Sequence, residues 1–121
     1  MKVNKATPLL VVDAIEPALP FWAALGYRET VEVPHGDALG FVILVDGDRE
    51  LMLQTRASLR EDLGLEEQPP FAMYLDVDDH REARDACGPM RVLIADRVTP
   101  YGAREAWVLD PAGNLVGFAS H

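Results

Sequence analysis

The chain has very little of three things, namely cysteine, basic residues and long apolar runs. Its single cysteine, Cys87, excludes an internal disulfide and fits a reduced thiol near a helix end. The only early apolar run covers residues 9–12, which is too short for a signal peptide or a membrane span. We therefore expect a cytoplasmic protein that has no membrane partner.

Basic side chains are also scarce, because 11 Lys and Arg face 20 Asp and Glu, for a formal net charge of −9. A phosphate backbone needs a basic surface, so this charge argues against nucleic acid as a partner. The charge suits a cationic small ligand. The alternative is that acidity only keeps the protein in solution, and it is the commoner case.

What the chain does contain is a strand and helix pattern that occurs twice. The first copy predicts a strand at "TPLLVVD", a helix that runs to about Leu25, and strands at "YRETVEV", "FVILVD" and "ELMLQT". Asp13 and Glu16 have the spacing of a capping box for that helix, and Gly26 ends it. "PHGDALG" is expected to be a loop.

The second copy predicts a strand at "FAMYLDVDD", a helix ended by Gly88, a strand at "MRVLIADRV" and a final hairpin around "DPAGN". A repeat of roughly 60–65 residues indicates a duplicated βαβββ unit. We expect a single α+β domain over 1–121, with modules at about 1–55 and 71–121 and a polar connector at 56–70 that has room for a helical turn. Each module has an apolar sheet face that needs cover, which favours pairing of modules or of chains.

The motifs "V-V-D…F-W…L-G-Y" and "P-Y-G-A-R-E…D-P-A-G-N-L" resemble those of the glyoxalase/bleomycin-resistance family, also called the vicinal oxygen chelate superfamily. The resemblance covers residues 3–120. It implies two βαβββ modules in a cupped mixed sheet, and a homodimer that is closely paired or domain-swapped, with small ligands in clefts. Metal enzymes of this family carry a ligand on the first strand and a Glu on the last strand of each module.

The resemblance places those four ligand positions near Ala6, Leu53, Ala72 and Gly117, and none of these side chains can bind a metal. Shifting the alignment by one residue adds Lys5, Thr7, Met52, Gln54, Phe71, Met73, Val116 and Phe118. Of these, only Gln54 is a conceivable ligand, and one Gln does not hold a divalent ion. We therefore expect no metal and no other cofactor.

Metal-free relatives in this family bind drugs with aromatic side chains, which the resemblance matches to Phe41 and Tyr101. Trp107 and Glu105 share a strand face, where an indole beside a carboxylate suits a cationic aromatic ligand. Gln54 completes the expected ligand-binding set. Structural alternatives stay open: Phe41 and Trp107 as sheet core, and Tyr101 as a loop aromatic that closes the cup.

No catalytic residue is assigned from the sequence. Arg104 and Glu105 are read as a structural ion pair, and His35 as a solvated loop residue. His80, at the start of an acidic helix, and His121 do not look catalytic.

The favoured function is that of a metal-free binding protein, which sequesters an aromatic, antibiotic-like and by preference cationic compound in dimer clefts. The alternative is an enzyme of the same superfamily, a lyase, isomerase or dioxygenase, including a variant that uses Glu105 as acid and base. A third possibility is an accessory domain whose clefts are filled by its own side chains.

Overall fold

The computed structural model describes residues 2–88 and 90–121, and these form eight strands and three α-helices. The order is strand, helix and three strands, then a helix, then strand, helix and three strands again. The predicted α+β class with two βαβββ modules is confirmed. The elements are β1 (Val3–Val12), α1 (Leu19–Ala24), β2 (Arg28–His35), β3 (Ala38–Asp46), β4 (Arg49–Thr55), α2 (Arg56–Leu63), β5 (Ala72–Val77), α3 (His80–Ala86), β6 (Arg91–Val98), β7 (Arg104–Leu109) and β8 (Leu115–Ser120).

The chain divides into two compact units, which we call the early unit and the late unit. The early unit is Pro8–Gln68, and the late unit consists of the described residues of Met1–Thr7 and Pro69–His121. Strand β1 contributes its first residues to the late unit and its last residues to the early one. The module boundaries expected from the sequence stay a prediction. Within the described residues, no helix is long and apolar enough to cross a membrane.

In the early unit the strand order is β2-β3-β4-β1, with β1 parallel to β4 and the other pairs antiparallel. Alternate residues of β3 and β4 face a core that also contains Ile15. Its fully buried strand residues are Val42, Leu44, Leu51 and Leu53. Trp22 packs against this core and makes edge-to-face contact with Tyr27, at a centroid distance of 5.7 Å.

The predicted capping box at the first helix is wrong. A short 3₁₀ turn at Glu16–Ala18 precedes α1, and neither has a side-chain cap. Glu16 instead accepts the backbone N–H of Leu39 at 2.8 Å, and Asp13 accepts from the Arg56 guanidinium at 3.0 Å. Both carboxylates therefore join distant segments, which a four-residue spacing cannot reveal. Leu25, expected on the apolar face, is exposed.

Two other local predictions also change. The expected loop "PHGDALG" is a hairpin turn of two residues, because β2 continues to His35 and β3 begins at Ala38. Gly36 occupies the turn with a φ of +65°, a left-handed conformation that suits glycine. Much of the expected connector is helix α2, whose N-cap Thr55 accepts the Ser58 N–H at 3.1 Å.

In the late unit the order is β5-β8-β7-β6, with β5 parallel to β8. Helix α3 packs on one face of this sheet, where Ala83 joins the core residues Val77, Val108 and Phe118. Its N-cap, Asp79, accepts the N–H groups of both Arg81 and Glu82. The opposite face of the same strands carries Glu105, Trp107 and Gly117, because successive strand residues alternate.

We expect Thr55→Ala to lower the free energy of unfolding by about 1 kcal/mol, because the Ser58 N–H in the first turn of α2 loses its acceptor. Thr55→Ser keeps the hydroxyl and should cost clearly less. Urea denaturation followed by circular dichroism measures both. Equal losses in the two variants would mean that the threonine methyl group, rather than the cap, stabilises this corner.

Candidate functional site

The structure places the five expected ligand residues in two separate groups. Tyr101, Glu105 and Trp107 belong to the late unit, and Phe41 and Gln54 belong to the early unit. Within the late unit the three residues are brought into contact. We call this group, with the two further residues that it recruits, the Glu105 cluster.

Glu105 is fully buried and lies in the middle of the cluster. Trp107, two residues along β7 and on the same face, donates its indole N–H to Glu105 Oε1 at 2.8 Å. Arg97 faces Glu105 across the β6–β7 pairing and reaches the same oxygen with Nε and Nη2, each at 3.0 Å. The guanidinium therefore balances the charge of the buried carboxylate, and charge-assisted hydrogen bonds stabilise it further.

Two tyrosines bind the other carboxylate oxygen. Tyr74, which is buried on β5, donates its hydroxyl to Glu105 Oε2, and Tyr101 donates to the same atom at 3.3 Å. Burial and then the charge of Glu105 raise the pKa of both phenols well above the usual value. Both hydroxyls therefore stay protonated as donors. Tyr101 differs from Tyr74 in exposure, because 40% of its surface is open to solvent.

The predicted ion pair between Arg104 and Glu105 is wrong. Adjacent residues of a strand point to opposite faces, so Arg104 cannot follow Glu105 to its side of the sheet. Arg97 is the partner instead. The cluster also weighs against Glu105 as acid and base, because two residues already donate to Oε1 and two others donate to Oε2.

Sequence reasoning missed Tyr74 and Arg97. Tyr74 lies directly opposite Gly117 in the β5–β8 pairing, and its ring is 5.6 Å from that of Trp107. Strand parity alone would have placed Tyr74 on the Trp107 face once that pairing was known. The Arg97 position was harder to find, because β6 shifts its register twice before it pairs with Glu105.

Gly117 faces Trp107 in the β7–β8 pairing, and the indole lies directly over it. A Cβ atom built on Gly117 would stand 2.7 Å from Trp107 Cη2 and 2.8 Å from two further ring carbons. Any side chain at 117 would therefore collide with the six-membered ring. The space above this glycine is occupied by Trp107, which is itself buried.

The residues present do not fit the metal that the sequence resemblance implies for metal-dependent members. Leu53 and Ala72 are buried apolar side chains, and the indole covers Gly117. Across residues 2–88 and 90–121, no group of three or more His, Cys, Asp or Glu side chains is placed to hold an ion. Glu105 is committed to Arg97 and to the ring donors.

In the early unit, Phe41 and Gln54 lie directly opposite each other on β3 and β4. Gln54 is buried and donates its amide to Ser58 Oγ at 3.2 Å, which ties α2 to the sheet. Phe41 is half-buried. The ligand-binding roles of both residues stay predictions.

Two histidines make contacts that sequence reasoning missed. His35 lies at the end of β2 rather than in a loop, and its Nε2 is 2.5 Å from Glu61 Oε2 on α2. Close passage over Gly40 allows this contact, since a Cβ there would stand 2.5 Å from His35 Cβ. His80 is buried and bonded to Ser120 and Asp96. Neither contact could be predicted from sequence patterns, because the partners are distant along the chain.

Comparison with known proteins shows the fold. No protein-family model and no curated protein matches the chain. A glyoxalase/bleomycin resistance protein/dioxygenase superfamily member from Vibrio splendidus 12B01 is 19% identical over 97% of this chain and 98% of that one, with a TM-score of 0.65. A hypothetical protein from Bacillus halodurans C-125 is 15% identical over 99% and 94%, at 0.67.

The 2,3-dioxygenase LapB from Pseudomonas sp. KL28 is 13% identical, with a TM-score of 0.67 over 99% of this chain and 42% of that one. The predicted likeness to this superfamily is therefore confirmed at the level of fold. Identities this low show a shared fold and nothing further.

We expect Glu105→Gln to lower the free energy of unfolding by about 3 kcal/mol, because Arg97 loses its countercharge in a mostly buried place. The double variant Glu105→Gln/Arg97→Gln should recover part of this loss. A double-mutant cycle in urea measures the coupling. Strictly additive losses would show that the two charges do not support each other.

We expect Gly117→Ala to cost about 1–3 kcal/mol, because its new methyl group displaces a packed indole. On a Trp107→Leu background the same substitution should cost much less. Urea titrations of the four proteins test this. An undiminished cost on the Trp107→Leu background would assign the requirement for glycine to the backbone instead of the ring.

Proposed function

Taking the glyoxalase/bleomycin resistance/dioxygenase fold as the premise, we propose that this chain is a metal-free small-molecule binding protein. It sequesters a planar aromatic, antibiotic-like compound without altering it, and it does so as a homodimer. The observation that carries the proposal is the indole of Trp107 over Gly117. Where metal-dependent members are expected to present a carboxylate, this chain has a glycine with the buried ring of Trp107 packed over it.

Tyr101 is the residue of the Glu105 cluster best suited to meet a ligand. Its ring is partly exposed while its hydroxyl is bound to Glu105, so the ring is held in place before any ligand arrives. A fixed aromatic face loses little conformational entropy on stacking. Val98, at the end of β6 and three residues earlier in the chain, adds an exposed apolar side chain.

The preference for a cation does not come from Glu105, because Arg97 neutralises that charge. It comes from two other sources. A net charge of −9 attracts cations from solution. The face of Tyr101 attracts them at close range, and a phenol that donates to a carboxylate is electron-rich, which strengthens a cation–π contact.

The proposal is tested by titration on a Trp22→Phe background, in which Trp107 is the only indole. Acridine orange, a planar cation, should quench its fluorescence to saturation. The planar anion 9-anthracenecarboxylate and the non-aromatic cation cyclohexylammonium should bind at least about tenfold more weakly, a difference of about 1.4 kcal/mol.

Tyr101→Ala should weaken acridine orange binding about fivefold, since one aromatic contact is worth about 1 kcal/mol. Phe21→Ala is the matched control, because Phe21 is an exposed aromatic in the early unit and should leave binding unchanged. Native mass spectrometry and elemental analysis of the untagged protein complete the test. One metal ion per chain, or failure of every aromatic cation to saturate, would overturn the proposal.

A further inference from the structure

On the other face of the late unit, a buried histidine joins a serine to an aspartate. His80, the first residue of α3, has Nδ1 at 2.8 Å from Ser120 Oγ and Nε2 at 2.6 Å from Asp96 Oδ1. Ser120 is the last residue of β8, and Asp96 lies on β6. His80 is only 2% exposed and Ser120 9%, whereas the Asp96 side chain is 44% exposed.

The proton positions in this chain of contacts follow from the acceptor. The hydrogen bond from His80 lowers the pKa of Asp96, so that carboxyl is ionised and can only accept. Nε2 therefore carries a hydrogen. When the imidazole is neutral, its other nitrogen, Nδ1, is the acceptor, and Ser120 donates its hydroxyl to it.

This is the arrangement in which a serine hydroxyl is activated by a histidine that a carboxylate orients. The two ring nitrogens have exchanged roles relative to the Ser-His-Asp set of serine proteases, in which Nε2 faces the serine. Both nitrogens of imidazole are equally able to take a proton, so the exchange leaves the chemistry unchanged.

A basic residue is paired with the serine across the sheet. Arg104 is the direct cross-strand partner of Ser120 in the β7–β8 pairing, so their side chains are on the same face. Arg104 is exposed. A guanidinium next to an activated hydroxyl is placed to stabilise negative charge that develops on a substrate oxygen.

From these contacts we infer that Ser120 is a nucleophile for acyl transfer from small carboxylic esters, with His80 as general base and Arg104 as the oxyanion partner. Ser120 Oγ bonds to the carbonyl carbon while its proton passes to His80 Nδ1. The tetrahedral intermediate then expels the alcohol, which takes that proton. Water, deprotonated by His80, attacks the acyl-serine, releases the acid and restores the hydroxyl. Asp96 is a positioning residue.

This inference is independent of the ligand site proposed above. Glu105 and Trp107 are on the opposite strand face from Arg104 and Ser120, since strand residues alternate. Val108 and Phe118, which share the parity of Arg104 and Ser120, pack against Ala83 of α3. A protein that fails to transfer acyl groups could therefore still bind acridine orange. A protein that fails to bind acridine orange could still transfer acyl groups.

The test incubates the full chain with 4-nitrophenyl acetate and locates the acetyl group by peptide mass spectrometry. We expect one acetyl group on Ser120 and a burst of 4-nitrophenolate. Ser120→Ala should abolish both. Ser58→Ala is the matched control, because Ser58 is the other serine of the chain and should leave the burst unchanged.

His80→Gln should slow acylation about 100-fold, the usual contribution of a general base. Asp96→Asn should slow acylation about tenfold, and Asp96→Glu should keep the wild-type acylation rate. If Asp96 were only structural, its substitutions would change the denaturation midpoint but would not change the acylation rate in this way. Arg104→Gln should slow acylation while Arg104→Lys retains it. Urea titration of each variant verifies folding.

Two outcomes would overturn the inference. The first is acetylation confined to lysines or spread equally over both serines. The second is an equal rate of Ser120 acetylation in the wild-type protein and in folded His80→Gln. If Ser120→Ala does not fold, Ser120→Cys provides an independent test. Its thiol should be acylated, and the rate should fall when His80 is also replaced by Gln.

Discussion

The late unit depends on how it accommodates one buried negative charge. Glu105 has no access to water, and an unpaired carboxylate there would cost several kcal/mol. Arg97 supplies the countercharge, and three ring donors complete the shell. The positions of β5, β6 and β7 and of the loop that carries Tyr101 are thereby fixed relative to one carboxylate.

The same carboxylate orients the indole of Trp107. Its N–H would otherwise be a buried donor without an acceptor, and Glu105 provides that acceptor two residues away. Once the ring is held in this orientation, only glycine fits beneath it at position 117. An electrostatic requirement on β7 has thus become a steric requirement on β8.

Much of the fold could be predicted from the sequence, because apolar alternation and turn residues act locally. The duplicated βαβββ order, the α3 helix and the terminal hairpin are such cases. Contacts that join distant segments could not be predicted: Glu16 supports β3 instead of a helix end, and Arg97 instead of Arg104 pairs with Glu105. The candidate site was found in part, since Glu105 and Trp107 share parity on one strand, whereas Tyr74 and Arg97 depend on register across strands.

The glycine beneath Trp107 also has an evolutionary consequence. A carboxylate at 117 is sterically excluded while the indole is present, and removal of the indole deprives Glu105 of a donor. A single substitution at either position is therefore expected to weaken the protein. The ring, the glycine and the buried acid are expected to change together, if they change at all.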